Sequence, residues 1–179
     1  MYFNDMNRKK VMAFGTFDYL HAGHEHYLKK ASELGDELIV VVARDRTAKN
    51  IRGKAPDHSE KSRLKTVQQL PFVTKAILGN SDDKYKVIRK HRPTIIALGY
   101  DQMIFTQQLH KLLIDLKLNA EIIRLDAYEP QVYKSSLIKK ALHEKAMKSN
   151  EACQINLATN EIAFTSPLSH EPPQLKTQR

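Results

Sequence analysis

Two histidines and two glycines are crowded into the segment GTFDYLHAGH, near the N-terminus. His21 and His24 lie three residues apart, and Gly15 and Gly23 lie eight apart in a chain with only 6 glycines among 179 residues. Imidazoles donate hydrogen bonds to phosphate oxygens, and glycine lets a phosphate approach the main chain closely. We interpret the segment as a phosphate site rather than a metal site, because Asp18 is the only neighbouring residue at a spacing that could add a zinc ligand.

Five short runs rich in β-branched residues alternate with amphipathic segments along the chain. The predicted strands are KVMAF, ELIVVVA, TKAILG, TIIALG and AEIIRL. The predicted helices, with apolar residues three and four apart, are HEHYLKKASELG, SEKSRLKTVQQL, DDKYKVIRKH, FTQQLHKLLIDLKL and SSLIKKALHEKAMK. Ser59 and Asp82 are expected N-caps, and Gly35 is expected to close the first helix. The alternation predicts an α/β fold in which helices cover both faces of a doubly wound, parallel five-stranded sheet.

The first strand and the first helix position the histidines. If VMAF is a strand and the helix starts near His24, residues 15–23 form the connecting loop at the carboxyl edge of the sheet, where ligands of such folds bind. The helix N-terminus then points its free N–H groups at the ligand, and both imidazoles project to one side. The sequence therefore predicts that this loop binds a phosphate-containing ligand.

Length and composition favour a single domain followed by a tail. We predict a domain over residues 1–147 and a polar tail over residues 148–179, to which we assign no chemistry. No apolar run is long enough to cross a bilayer, and the N-terminus lacks the apolar block of a signal peptide. Cys153 is the single cysteine, which suits a reducing compartment. We expect a cytoplasmic protein with no membrane partner.

The charge of the chain bears on its ligand. The net charge is +9, and the tail adds nothing to it because its three basic residues balance its three acidic ones. Such an excess attracts nucleic acids and nucleotides alike, but we find no helix-turn-helix, zinc-finger or aromatic RNA-binding motif. A small polyanion, and no nucleic acid, is therefore the expected partner. Lys49, Arg52 and Lys54 are expected in a basic loop that either clamps a phosphate or is only solvated surface.

The GTFDYLHAGH segment resembles the GTFDxxHxGH motif of the cytidylyltransferase-like nucleotidyltransferases. The segments VVARDRTAKNIRGKAP, KAILGNSDDKYKVIRKHRPTIIALGYDQ and YKSSLIKK resemble one branch in particular, the archaeal-type FAD synthases, which transfer AMP from ATP to FMN. GYDQ favours this branch, because the glycerol-3-phosphate cytidylyltransferases usually have GDDW there. The resemblance covers residues 9 to about 146 and implies a Rossmann-like fold and a homodimer.

The resemblance also assigns roles to individual residues. In that family the two histidines contact the triphosphate and stabilise charge during attack on the α-phosphorus, so the candidate catalytic residues are His21, His24 and the cation Lys139. The candidate nucleotide-binding residues are Thr16, Phe17, His21, Ala22, Gly23, His24, Arg63, Asp101, Tyr128, Ser135 and Ser136.

Several of these residues have a structural alternative. Phe17 and Tyr128 could equally fill or cover the core, Asp18 could orient the loop or simply form a turn, and Arg63 could make a surface salt bridge. The mutual placement of these side chains in the fold decides between the two readings.

The resemblance implies ATP and FMN as substrates, with Mg²⁺ or another divalent cation carried on ATP, and no protein metal ligand is assigned. The acceptor stays open at this point. A cytidylyltransferase acting on glycerol 3-phosphate or another phospho-alcohol, or an adenylyltransferase with a different acceptor, would use the same histidines. A non-catalytic nucleotide-binding protein is a third possibility, which the intact histidines, Arg63 and the serine segment disfavour.

Overall fold

The computed structural model describes residues 8–83, 85–100, 102–128, 137–142 and 144, without the side chains of residues 103–108. Contacts divide the chain into two compact units, Met1–Ile138 and Lys139–Arg179. Strands and helices alternate in the first unit. They are β1 (Lys10–Gly15), α1 (Ala22–Ser32), β2 (Glu37–Val42), α2 (Asp45–Arg52), α3 (Glu60–Gln68), β3 (Lys75–Leu78), α4 (Lys86–His91), β4 (Ile95–Leu98), α5 (Met103–Asp115) and β5 (Glu121–Arg124).

The five strands form one parallel sheet in the order β3-β2-β1-β4-β5. The central strand β1 pairs with β2 on one side and with β4 on the other, so that Met12 lies opposite both Ile39 and Ile96. The strand order reverses beside β1, and this switch point opens a crevice beyond the carboxyl ends of β1 and β4. The fold class and all five predicted strands are confirmed.

Alternate residues of the strands build two separate cores. Val11 and Ala13 of β1 face a core that includes Leu28 of α1 and Val67 of α3. The intervening Met12 faces the other core, to which α4 and α5 contribute the buried side chains Val87, Ile88, Leu109 and Leu113. Because both faces of the strands are buried, they read in the sequence as nearly continuous apolar runs. The prediction of helices on both faces is therefore correct.

The end of α1 differs from the prediction. The helix ends at Ser32 with Glu33 as its C-cap, in right-handed helical conformation, so Gly35 does not close it. A Cβ atom on Gly35 would lie 2.5 Å from the carbonyl oxygen of Lys9. The glycine is needed because the turn into β2 passes directly against the start of β1.

Two helix starts test the cap predictions. Ser59 is the N-cap of α3, and its hydroxyl accepts a hydrogen bond from the N–H of Ser62 at 3.3 Å. Asp82 is not a cap, because α4 begins later, after Tyr85. The neighbouring carboxylate of Asp83 accepts from the N–H of Tyr85 at 2.9 Å, and this turn precedes the helix. The first cap is thus confirmed and the second is wrong.

The basic segment after β2 is a helix rather than the expected loop. Helix α2 buries only Ala48 and ends at Gly53, which has a positive φ of 72°. Its first residue, Asp45, exchanges hydrogen bonds with Glu60 of α3: each carboxylate accepts from the N–H of the other residue, at 2.9 and 3.2 Å. These tertiary bonds cap both helices at once, and they join residues 15 positions apart, which local sequence patterns do not reveal.

The C-terminal part of the chain is described only in part. Residues 137–142 and 144 are helical, within the segment predicted as the last helix. The predicted tail over 148–179 lies outside the described residues, so the boundary at residue 147 stays a prediction. No helix in the described ranges is both long and apolar enough to span a membrane.

Candidate active site

The two histidines lie where β1 ends and α1 begins. The 16–21 loop connects Gly15, the last residue of β1, to Ala22, the first residue of α1. The helix starts two residues before the predicted His24, with His21 as its extended N-cap. The first N–H groups of a helix have no acceptor within it, so those of Ala22 and Gly23 face outward at this end. The predicted loop thus leads into an anion-attracting helix terminus.

The imidazole rings of His21 and His24 lie against each other. Their centroids are 3.8 Å apart and their planes are inclined by only 21°. Nδ1 of His21 accepts a long hydrogen bond of 3.4 Å from the N–H of His24. This bond places the proton of a neutral His21 ring on Nε2. The prediction that both rings project to one side is confirmed.

Both rings are held in the neutral form. Burial lowers the pKa of His21 below its usual range. Burial, together with the charges of His21 and Arg52, lowers the pKa of His24 to about 3. Nδ1 of His24 is buried and has no hydrogen-bond partner among the described residues. Folded proteins rarely leave a buried polar atom unpaired except at functional positions, so His24 is the strongest candidate for a ligand-binding side chain here.

Phe17 belongs to the core and does not offer its ring to a ligand. The side chain is 2% exposed and packs within the core cluster of α1 and α3. Its edge meets the ring of His24 at a centroid distance of 5.3 Å. A Cβ atom on Gly15 would lie 2.5 Å from the Phe17 ring, which explains the glycine at the end of β1. The ring therefore fills the core, which was the alternative for this residue, and a main-chain contact of Phe17 with the nucleotide stays a prediction.

The buried side chain of Arg63 connects several segments of main chain through hydrogen bonds. It is 2% exposed and, with Val67, forms the buried side of α3. Its guanidinium donates to the carbonyl oxygens of Thr16, Ala43 and His58, the last two at 2.8 and 3.0 Å. It also donates to the carboxylate of Asp45 at 2.7 Å. The alternative of a salt bridge is correct in part, because Arg63 pairs with Asp45 but does so from a buried position. A direct nucleotide contact by Arg63, for which these partners leave little room, stays a prediction.

Asp18 joins the 16–21 loop to the segment before α3. Its carboxylate, 7% exposed, accepts from the N–H groups of Asp57 and His58 at 2.9 and 3.2 Å and from the His58 ring at 2.8 Å. Burial by itself would raise the pKa of Asp18, but these hydrogen bonds outweigh it and hold the pKa below its ordinary value. Sequence reasoning missed Asp57 and His58, since nothing in a spacing of about 40 residues indicates that they meet Asp18.

The crevice is bounded on the other side by the residues that follow β4 and β5. The amide of Gln102 donates to the carbonyl oxygen of Phe14 at 2.8 Å, which ties the GYDQ segment to β1. Arg124 donates to the carbonyl oxygen of Gly99 at 3.0 Å and to that of Tyr100 at 3.4 Å. Tyr100 is 42% exposed at this edge. Asp101, predicted to contact the nucleotide, lies outside the described residues.

Tyr128 lies shortly after β5 and stacks on a residue that the sequence analysis did not consider. Its ring is nearly parallel to that of His26 on α1, with centroids 4.8 Å apart. The tyrosine remains 40% exposed, so it does not merely cover the core. Stacking on His26 fixes the orientation of one exposed ring beside the N-terminal half of α1.

The remaining predicted residues are placed less completely. Lys139 lies in the short helical segment and opens the second unit. Ser135 and Ser136 lie outside the described residues. Lys49 and Arg52 lie on α2 and Lys54 follows it, all exposed.

The described residues offer no protein cage for a metal. No group of three or more His, Cys, Asp or Glu side chains that could hold an ion occurs in the described ranges. Mg²⁺ commonly takes most of its ligands from phosphate and water, so an ion carried on ATP does not require such a group.

Comparisons with known proteins agree with this geometry. The FAD synthase of Thermoplasma acidophilum is 45% identical to the chain over 135 residues, which are 75% of the chain and 94% of the relative. The FAD synthase of Picrophilus torridus is 42% identical over 135 residues, which are 75% of the chain and 96% of that relative. A lipopolysaccharide core biosynthesis protein from Thermoplasma volcanium GSS1 has a similar solved structure, with a TM-score of 0.65 and 46% identity over 68% of the chain and 99% of that protein. The pantoate-beta-alanine ligase of Francisella tularensis, 16% identical over 73% of the chain and 64% of that protein, shares the fold with a TM-score of 0.54.

The family model for cytidylyltransferase-like proteins matches residues 12–141, which include all but the first two residues of β1, the 16–21 loop and every later strand of the sheet. With the paired histidines at the switch point of a parallel sheet, the chain belongs to the cytidylyltransferase-like family.

Proposed function

We propose that the protein transfers AMP from ATP to FMN, giving FAD and pyrophosphate. The observation that carries this proposal is the 45% identity to an archaeal FAD synthase over 94% of that enzyme's length. The site agrees with the proposal. A neutral histidine pair at a helix N-terminus suits a triphosphate, and direct transfer of AMP requires no covalent intermediate.

The reaction is a direct displacement at phosphorus. An oxygen of the FMN phosphate attacks the α-phosphorus of ATP and forms the new P–O bond. The bond from the α-phosphorus to the oxygen that bridges it to the β-phosphate breaks, and pyrophosphate leaves with that electron pair. Negative charge spreads over the α-phosphate and leaving-group oxygens in the transition state, so positioned donors accelerate the step.

The histidines and the start of α1 supply these donors. His21, with its proton on Nε2, and His24 donate to the phosphate oxygens, and the N–H groups of Ala22 and Gly23 add the positive end of the helix dipole. A neutral imidazole donates a hydrogen bond without first taking up a proton. The pair therefore stabilises the developing negative charge on the phosphate oxygens at ordinary pH. Arg52, whose charge acts on His24, adds a cation on this side.

Other members of the proposed site rest on the resemblance alone. We assign Ser135, Ser136 and Lys139 to the phosphates, and Asp101 and Tyr128 to the nucleoside. Mg²⁺ or another divalent cation, carried on ATP, supplies further charge neutralisation when bound. We also propose that the enzyme is a cytoplasmic homodimer.

One assay tests the function. Purified protein with Mg²⁺ is offered each of ATP, CTP, GTP and UTP with FMN, glycerol 3-phosphate and other phospho-alcohols, and pyrophosphate release and the nucleotide product are measured. We expect FAD from ATP and FMN, with CTP slower by several orders of magnitude, because a pocket that pairs one base edge leaves buried groups unpaired with another. Activity only with CTP and a phospho-alcohol would move the protein to the cytidylyltransferase branch.

A further inference from the structure

The 16–21 loop adopts a conformation that it cannot hold by itself. Phe17 and Tyr19 both have positive φ angles, of 54° and 51°. Residues with a Cβ atom rarely adopt this left-handed region, so surrounding contacts must impose it. Neither residue is a glycine or asparagine, which would adopt it readily.

The supporting contacts come from residues 57 and 58. The carboxylate of Asp18 accepts three hydrogen bonds from them, including one from the His58 ring at 2.8 Å. The hydroxyl of Tyr19 donates to Asp57 at 3.0 Å, and its ring meets the His58 ring edge to face, with centroids 4.6 Å apart. Asp18 and its strained neighbour Tyr19 are therefore held from one direction, and we call these four residues, Asp18, Tyr19, Asp57 and His58, the loop clasp.

The loop clasp acts on the histidine pair over a short path. Phe17, next to Asp18, contacts the His24 ring directly. His21, at the other end of the loop, caps α1 and accepts from the main chain of His24. A change in the loop conformation therefore moves both rings that we assign to the phosphates.

We propose that His58 is a positioning residue for nucleotidyl transfer: by donating from Nδ1 to Asp18, it holds the 16–21 loop in the shape that aligns His21 with His24. The side chain of His58 is 47% exposed, so it contributes little to the core, and its function lies in this hydrogen bond and in the contact with Tyr19. This proposal rests on the proposed function, because its effect on kcat presupposes the transfer of AMP from ATP to FMN.

Three variants separate this role from a general structural one. His58→Ala removes the hydrogen bond, and His58→Asn keeps a side-chain N–H donor close to the position of Nδ1. Lys61→Ala changes an exposed residue, the second of α3, and serves as the control. Thermal unfolding of all three checks that they are folded.

We expect His58→Ala to lower kcat on the order of tenfold at saturating ATP and FMN with a smaller change in KM, because misplaced catalytic groups cost rate more than binding. His58→Asn should recover most of the loss, and Lys61→Ala should match the wild type. A wild-type kcat for His58→Ala, or a His58→Asn as slow as His58→Ala, would overturn the proposal.

A second measurement does not depend on the substrates. In protein with ¹³C-labelled histidine, the ring signals of His21 and His24 should shift in His58→Ala and return toward wild-type positions in His58→Asn. Unmoved signals in His58→Ala would refute the positioning role even if FMN proved not to be the acceptor. Shifted signals in a protein inactive with ATP and FMN would instead retain the positioning role and refute the proposed function.

Discussion

The two halves of the sheet's carboxyl edge are held in different ways. Beside β1 and β2, the 16–21 loop is fixed by groups that are almost fully buried, Arg63 at 2% and Asp18 at 7% exposure. Beside β4 and β5, Arg124 holds the Gly99 and Tyr100 carbonyls from an exposed position. The rings of Tyr100 and Tyr128 are 42% and 40% exposed there.

This difference separates two tasks of a nucleotidyltransferase. Charge stabilisation at phosphorus works best with donors that are already in place, because they need no rearrangement during the reaction. Recognition of a base can be completed by the ligand, which buries exposed rings as it binds. We therefore propose that the first half carries the phosphate chemistry and that a nucleoside covers the exposed rings of the second half.

The largest effect should follow from removing His24 on the first half. His24→Ala should lower kcat about a hundredfold with the fold intact, because losing one preorganised donor costs about 3 kcal/mol of transition-state stabilisation. Steady-state kinetics with ATP and FMN measure this, and His110→Ala, an exposed change on α5, is the matched control. A folded His24→Ala enzyme with near-normal kcat would show that the pair does not act on the reacting phosphate.

The next prediction compares Arg63 and Arg124, which hold the two halves of the sheet's carboxyl edge. Arg63→Met leaves the Thr16, Ala43 and His58 carbonyls without their donor, and breaking such a buried network typically costs about 3 kcal/mol. Arg124→Met removes hydrogen bonds made from an exposed position, worth about 1 kcal/mol or less. Urea unfolding midpoints measure the loss in free energy of unfolding for each variant, provided that the m-values are unchanged. Equal losses would erase the distinction between a buried and an exposed half.

The sequence predicted the strands and the histidine pair because both depend on local patterns. Apolar runs buried on both faces define the strands, and the spacing of His21 and His24 places both rings on one side of a helix start. The sequence could not predict the role of Arg63 or the partner of Asp18. The hydrogen bonds of Asp18 with His58 and of Arg63 with Thr16 join residues 40 and 47 positions apart. Only the packing of α3 against the loop brings these residues together.

The pH dependence of stability gives a smaller effect, again on the first half. The pKa of His24 is about 3 when folded against an ordinary value of 6.5, so between these values the unfolded chain binds a proton that the folded chain does not. The free energy of unfolding should therefore fall as pH is lowered through this window, by about 2 kcal/mol between pH 7 and pH 5 from this group.

His24→Asn removes that titration, so its stability should fall less over the same pH range than that of the wild type. Urea unfolding of both proteins at several pH values measures the difference. Parallel pH profiles would mean that the His24 ring is solvated and ordinary, contrary to its half-buried position beside Phe17 and its buried Nδ1.

The smallest effect should come from the end of the chain, because the family model stops at residue 141. Deleting residues 148–179 should keep kcat and the preference for ATP over CTP within about twofold, because polar terminal extensions rarely carry a core or a site. The comparison variant ends at Ile138 and also loses Lys139, which we assign to the phosphates, so it should be much slower. If the first deletion already abolished the preference for ATP, the exposed half of the edge would depend on the tail to complete its nucleoside pocket, and the boundary at residue 147 would be wrong.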